Sequence, residues 1–175
     1  VSYESDCHCW QVGARLRYFG DGFQIAKRLD GKRYWRVPVM DGEFLCVDRA
    51  GMVRAIGGGN FLILGTTRGA TRQAAERAVT AMRALRNVIL PFPGGVVRSG
   101  SKIGSKYKGL VASTNDAYCP TLRAESATAL PPGVEGVLEI VIDGLGESDI
   151  AAAMRAGIAA ACAPALGVAR IDAGI

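Results

Sequence analysis

Residues 134–172 read "VEGVLEIVIDGLGESDIAAAMRAGIAAACAPALGVARID". The first part, "VEGVLEIVIDG" (134–144), is rich in Val and Ile and lies between Pro131-Pro132-Gly133 and Gly144, so it predicts a strand with turn chemistry at both ends. In "GESDIAAAMRAGIAAACA" (146–163) the period changes. Ile150, Met154, Ile158 and Ala161 recur at three- and four-residue spacing, the stripe of an amphipathic helix. Ser148 is placed to cap that helix, Glu147 and Asp149 stand near its positive end, and Pro164 cannot continue it. "GVARID" (167–172) returns to strand. The stretch is strand, helix, strand.

The same order occurs upstream. "TTRGATRQAAERAVTAMRALRN" (66–87) sets Ala75, Val79, Met82 and Leu85 on one side and leaves Arg72, Arg77 and Arg83 off it. "GNFLILGT" (59–66) precedes it and "NVIL" (87–90) follows, both reading as strands. Residues 59–172 therefore predict an α+β fold: β-α-β, a long polar insertion, then β-α-β. That order is the ferredoxin-like split βαβ sandwich, an antiparallel sheet with both helices on one face. Nearer the start, "ARLRYFGDG" (14–22), "KRYWRVPVM" (32–40) and "EFLCVD" (43–48) predict strands without a helix of their own. Asp30-Gly31 and Asp41-Gly42 are hairpin signals between extended runs. These strands need a sheet to join, expected in part outside this chain.

At 175 residues the chain is about one ordinary domain. Its 49% apolar and 21% charged residues suit a soluble globular protein. No apolar run approaches the roughly 18 residues of a spanning helix, so no membrane role is expected. The chain begins at Val1 and ends at "RIDAGI", and it is expected to be a piece of something longer. Without a signal peptide, and with an odd set of cysteines (Cys7, Cys9, Cys46, Cys119, Cys162), a reducing cytoplasm is the expected compartment. Cys7-His8-Cys9 has no second ligand pair nearby, so no metal site is expected there. His8 is the sole histidine, which argues against Ser-His-Asp or Cys-His catalysis.

The formal charge is +5, from 21 Lys plus Arg against 16 Asp plus Glu. Such a balance suits nucleic acid, an anionic membrane, an anionic small molecule, or nothing in particular. Arg98, Lys102, Lys106 and Lys108 gather in "RSGSKIGSKYKGLVASTNDAYCPT" (98–121) without the succession of aromatic residues that base stacking requires. Nucleic acid is disfavoured. This segment lies within residues 91–132, an insertion far longer than the usual connection of about 4–6 residues. It lacks a periodic apolar face and predicts no core of its own. "TLRAESATALPPG" (121–133) reads as its loosest part. "PFPGGVV" (91–97) and "ASTNDAYCPT" (112–121) carry prolines and aromatics that make them stiffer than a linker, which favours an ordered binding loop. A Walker phosphate loop fails on spacing, since Ser105 separates Gly104 from Lys106, Tyr107 stands where Ser or Thr belongs, and no helix follows. A weaker statement survives: backbone N–H groups, hydroxyls and ammoniums on one loop suit carboxylate or phosphate groups.

"YFGDGFQ", "DGKRYWRVPVMDGEF", "GGGNF", "PFPGGVV", "SKIGSKYKG", "ASTNDAYCPT" and "LEIVIDGL", in that order, resemble the formylmethanofuran–tetrahydromethanopterin formyltransferase family, from about Arg15 to Gly174. The resemblance implies a two-lobed enzyme that moves a formyl group between methanofuran and N5 of tetrahydromethanopterin in one-carbon metabolism, in formaldehyde oxidation or methanogenesis. It implies no metal and no permanently bound cofactor, the two anionic coenzymes being substrates. The enzyme would be a cytoplasmic homo-oligomer or a subunit of a formyltransferase/hydrolase complex. On this reading residues 1–40 are the final strands of an incomplete N-terminal ferredoxin-like lobe. Residues 41–175 are the C-terminal lobe without a short tail, its insertion placed at the active site.

Formyl transfer between two amines needs an oxyanion stabiliser and a group that moves a proton from one nitrogen to the other. Glu139 is the candidate. It interrupts an apolar strand, with Val137 and Val141 on its side by period two, and lost hydration predicts a raised pKa. The alternative is a solvent-facing strand glutamate; the resemblance places a catalytic carboxylate here. Lys102 and Lys106 would meet anionic substituents, or are simply solvated lysines. Ser105, Ser113, Thr114, Asn115 and Asp116 offer donors and acceptors for a pterin edge or an amide, or else cap turns. Phe92 and Tyr118 would stack on a flat ring, or only pack. Cys119, with no base in view, reads as a structural thiol. Two rival classes are a non-catalytic subunit and an RNA-binding ferredoxin-like module. The second wants aromatics at alternate central-strand positions, where "GNFLILGT" has only Phe61.

Overall fold

The computed structural model describes residues 8–163 and 167–174. Two compact units divide the chain, Val1–Arg54 and Ala55–Ile175. In the first, strand β1 (His8–Trp10) leads into helix α1 (Val12–Leu16) and a 3-10 turn (Arg17–Gly20). Strands β2 (Ile25–Leu29), β3 (Lys32–Val39), β4 (Gly42–Val47) and β5 (Ala50–Met52) follow. Strands β2, β3 and β4 form an antiparallel sheet in that order, and β1 pairs with β5. The hairpin at Asp30-Gly31 forms because both residues take the left-handed conformation (φ 48 and 74) that matches strand twist.

The strand expected over 14–22 is not there. The Gly13 and Ala14 amides both donate to the Asp48 carbonyl (3.2 and 3.4 Å), which ties the segment down as helix α1 and the following 3-10 turn. Gly13 lies so close to β4 that a Cβ would come within 2.3 Å of the Val47 carbonyl oxygen. The strand role falls to Ile25–Leu29 instead. These strands do therefore have a short helix of their own.

The second unit contains β6 (Ile56–Gly65), α2 (Arg68–Arg83), β7 (Val88–Ile89), the excursion strands β8 (Lys102–Ile103) and β9 (Ala112–Ser113), then β10 (Gly136–Gly144), α3 (Glu147–Ala161) and β11 (Val168–Gly174). The main sheet runs β11-β6-β10-β7, every pair antiparallel. Phe61, Ile63, Ile140 and Ile142 point to one face, where they are buried with Ala74, Ala75, Ala78, Val79 and Met82 of α2 and with Ile150, Ala153 and Ala161 of α3. Both helices cover that face. The unit is a mixed helix-and-strand fold, as the sequence predicts.

Two details depart from expectation. Gly146, not Ser148, is the N-cap of α3; its carbonyl accepts from the Asp149 and Ile150 amides (3.1 and 3.2 Å), so Ser148 already lies in the first turn. The buried stripe of α3 runs Ile150, Ala153, Gly157, Ala161, with Met154 and Ile158 flanking it. The cause is Met82, whose Sδ occupies the space above Gly157, 2.7 Å from where a Cβ would stand. The helices cross at a residue without a side chain. Pro164 lies outside the described residues.

The start of α2 approaches the sheet just as closely. Gly65 and Gly136 are register partners, and a Cβ on either would meet Thr71 Oγ1 at 2.4 or 2.5 Å. Thr67 caps the helix by accepting from the Ala70 amide (3.1 Å).

The other face of the sheet is covered by the excursion. Leu130 and Val134 are buried there with Leu64, and Leu62, Tyr118 and Val137 pack beside them. The insertion thus does add to a core, through residues scattered too widely to show a period. The expected looseness of 121–133 is likewise corrected: Arg123 donates to the Pro131 and Val134 carbonyls, the Ala129 amide to Ala117 (2.9 Å), and Ser126 Oγ to Asp116 (3.3 Å).

Candidate active site

Strand alternation puts Glu139 on the face that the helices do not cover. Its register partner on β6 is Leu62, whose own partner on β11 is Asp172. One row across three strands therefore reads Glu139, Leu62, Asp172. Above it the excursion and the start of α2 enclose a cleft of about 600 Å³.

"PFPGGVV" builds the near wall. Gly94 and Gly95 both take positive φ (71 and 82), and a Cβ on Gly95 would meet Val79 Cγ2 at 2.9 Å. This turn delivers Val97 alongside β10, where it exchanges both backbone hydrogen bonds with Glu139 (2.8 and 3.1 Å). The Glu139 side chain is half-buried, and its Oε1 accepts from Asn60 Nδ2 at 2.8 Å. Asn60 escapes a sequence reading; its one signal is an amide within "GGGNFLIL".

Tyr118 and Asn115 line the cleft with Glu139, as does Cys119, whose thiol donates to the Asn115 carbonyl (3.3 Å). The Tyr118 hydroxyl donates to Asp172 Oδ2 (3.1 Å), and Arg170 forks onto both Asp172 oxygens (2.5 Å each). The guanidinium holds the Asp172 carboxyl below the usual carboxylate range. Burial, and then the bond to Asp172, push the Tyr118 phenol up.

The other predicted residues lie outside the cleft lining. Lys102 pairs with Asp116 and closes the base of the β8–β9 hairpin. That pair lowers the Asp116 pKa. Ser113 Oγ donates to the Gly104 carbonyl (2.8 Å), Thr114 Oγ1 to Ser99 (3.3 Å), and Ser105 Oγ accepts from the Tyr107 amide (3.1 Å). The Lys106 ammonium sits 5.3 Å from the centre of the Tyr107 ring. Phe92 is 42% exposed. The cations on the cleft are arginines instead: Arg68, Arg72 and Arg98. Arg72 is held by Glu76 (2.6 Å), while among the described residues Arg68 and Arg98 make no ion pair. The signal for the first two was their i, i+4 spacing off the apolar stripe of α2. Among the described residues no three His, Cys, Asp or Glu side chains gather as a metal cluster would, and no helix is long and apolar enough to cross a membrane.

Residues 42–175 match the family model described as FTR, proximal lobe. The chain belongs to the FTR family. Its FTR match takes in the cleft and every strand of the sheet beneath it. A relative from Methylococcus capsulatus named formylmethanofuran–tetrahydromethanopterin formyltransferase is 64% identical over 165 residues, 93% of this chain and 55% of that protein. One component of the formyltransferase/hydrolase complex of Methylorubrum extorquens is 57% identical over 157 residues, 86% of this chain and 50% of that protein. The crystal structure of that organism's complex with methylofuran has a chain that superposes with a TM-score of 0.69 at 51% identity, covering 95% of this chain and 57% of its own. This FTR chain thus spans about half the length of the curated relatives it matches.

Proposed function

We propose that the protein carrying this chain is a formyltransferase that moves a formyl group between methanofuran and N5 of tetrahydromethanopterin. One observation carries the reading: in a chain of the FTR family, a half-buried carboxylate stands at the floor of a cleft with an aromatic wall. In the transfer, N5 attacks the formyl carbon, the carbon–nitrogen bond to the donor amine breaks, and the proton lost by N5 ends on the leaving amine. Glu139 carries that proton. Asn60 occupies its Oε1, leaving Oε2 to hold a proton or to donate to the developing oxyanion. No covalent intermediate on the protein is needed when both coenzymes lie side by side, and the cleft then acts mainly by positioning them.

Asn115 and Tyr118 contact the flat coenzyme ring in this reading. Arg68 and Arg98 meet its anionic substituents, with Lys106 and Ser105 at the hairpin end and the exposed Phe92 ring as outer contacts. The Lys102–Asp116 pair, Ser113 and Thr114 hold the hairpin that carries Ser105 and Lys106. The order β11-β6-β10-β7 with two helices on one face supports the ferredoxin-like split βαβ topology for this unit. Residues 1–40 close one lobe and 41–175 form the next in this reading, which the start of the family match at residue 42 supports, although the β3–β4 hairpin crosses that boundary and the first compact unit runs on to Arg54. The protein works in the cytoplasm without a permanently bound cofactor, as a homo-oligomer or as the transferase subunit of a formyltransferase/hydrolase complex.

The test is an absorbance assay of the complete protein with formylmethanofuran and tetrahydromethanopterin. Saturable transfer of the formyl group is the expected result. Absence of transfer, together with no saturable binding of tetrahydromethanopterin, would point to a scaffolding subunit.

A further inference from the structure

The Tyr118–Asp172–Arg170 chain is left unused by the transfer chemistry. Tyr118 ends a three-residue 3-10 turn (Asp116–Tyr118) in the excursion, and its ring forms part of the cleft wall. Among the described residues its bond to Asp172 is the one side-chain hydrogen bond between the excursion and β11. Asp172 is fixed in turn by a two-pronged contact with Arg170, two residues along the same strand. Glu139 and Asp172 flank Leu62 in register, so the acid and the anchor of the wall stand two strand spacings apart, about 10 Å.

We propose that Asp172, oriented by Arg170, is a positioning residue: it fixes the Tyr118 ring opposite Glu139 and so sets how tightly the pterin coenzyme is held. The inference rests on the formyltransferase reading. Asp172 touches no reacting atom. Its effect reaches the substrate through Tyr118, whose hydroxyl has its proton committed to the carboxylate and whose ring face is left for the ligand. A tyrosine swinging freely would lose ordering entropy each time the coenzyme bound; the anchor removes that cost beforehand.

The experiment compares Asp172→Ala, Asp172→Asn, Tyr118→Phe and the double variant Asp172→Ala with Tyr118→Phe in the complete protein. Loss of one hydrogen bond predicts a KM for tetrahydromethanopterin raised about five- to tenfold in Asp172→Ala and in Tyr118→Phe, with kcat kept within about twofold. The double variant should be no worse than either single one, because all remove the same bond. Asp172→Asn keeps an acceptor oxygen and should recover most of the affinity. A purely structural Asp172 would instead lower thermal stability and leave KM where it was, which overturns the proposal. Should the complete protein transfer no formyl group, the function reading fails on that ground alone. Positioning is then judged by the tyrosinate absorbance of Tyr118, taken as wild type minus Tyr118→Phe. Asp172 raises that titration and Arg170 opposes it, so Asp172→Ala should move it to lower pH; an unmoved titration would sink the anchor.

Discussion

Glu139 and Asp172 share one face of one sheet but are held in opposite ways. A neutral amide meets Glu139, and a guanidinium meets Asp172. The second arrangement leaves a mark on stability. A carboxyl whose folded pKa is depressed contributes stability above its unfolded value, about 4, and loses it as pH falls through the folded one. Tyr118 has the opposite sign: its raised phenol contributes below about pH 10 and loses that contribution as pH rises through the folded value. Thermal unfolding followed across pH should therefore fall off at both ends. Asp172→Asn should flatten the acid limb, leaving the part that Asp116 supplies, and Tyr118→Phe should flatten the alkaline limb. At this scale the sequence was half legible. Glu139 announces itself as the acid inside the apolar run "VLEIVI" (137–142). Asn60 and Asp172 do not, because their partners lie 79 and 54 residues away and only the sheet register brings them together.

Among the elements, periodicity located α2, α3 and the strands on either side of them, since each buries one continuous face. It failed where burial follows no period. Gly157 lies at the helix crossing, and a hydrophobic stripe cannot reveal a contact made by a missing side chain. Leu130 and Val134 hold the excursion to the sheet as isolated anchors in a polar tract. The 14–22 segment looked extended because its helix is set by the Asp48 carbonyl, which no local pattern encodes. The paired glycines at 65 and 136 give the most specific prediction here. A methyl on either must displace the first turn of α2, backbone included, since it would lie 3.0 Å from the Thr71 amide nitrogen at position 65 and 3.0 Å from the Arg68 Cα at position 136. Gly136→Ala should cost about 1–3 kcal/mol in urea unfolding. It should also disturb the cleft, because that turn carries Arg68, Thr71 and Arg72 into its lining. Gly69→Ala, in that same turn but on its exposed side with only Thr67 Oγ1 at 3.9 Å, should instead stabilise by up to about 1 kcal/mol.

For the whole molecule, the sheet of the second unit is a two-sided device. Helices seal one face with an apolar core, and the excursion roofs the other while leaving a cleft over Glu139. The same polar, glycine-bearing stretch that lacks a period of its own supplies the turn, the tyrosine and the asparagine that surround the acid. A basic balance of +5 is met at the cleft by arginines on α2 and beside Val97 rather than by the loop lysines that composition brought forward. With the chain spanning about half the length of its relatives, turnover has to be read on the complete protein. The decisive measurement is steady-state formyl transfer by that protein carrying Glu139→Gln, with kcat and KM for both coenzymes. A proton carrier predicts kcat lowered by about 100-fold or more with each KM within about threefold of wild type. An unchanged kcat would contradict it.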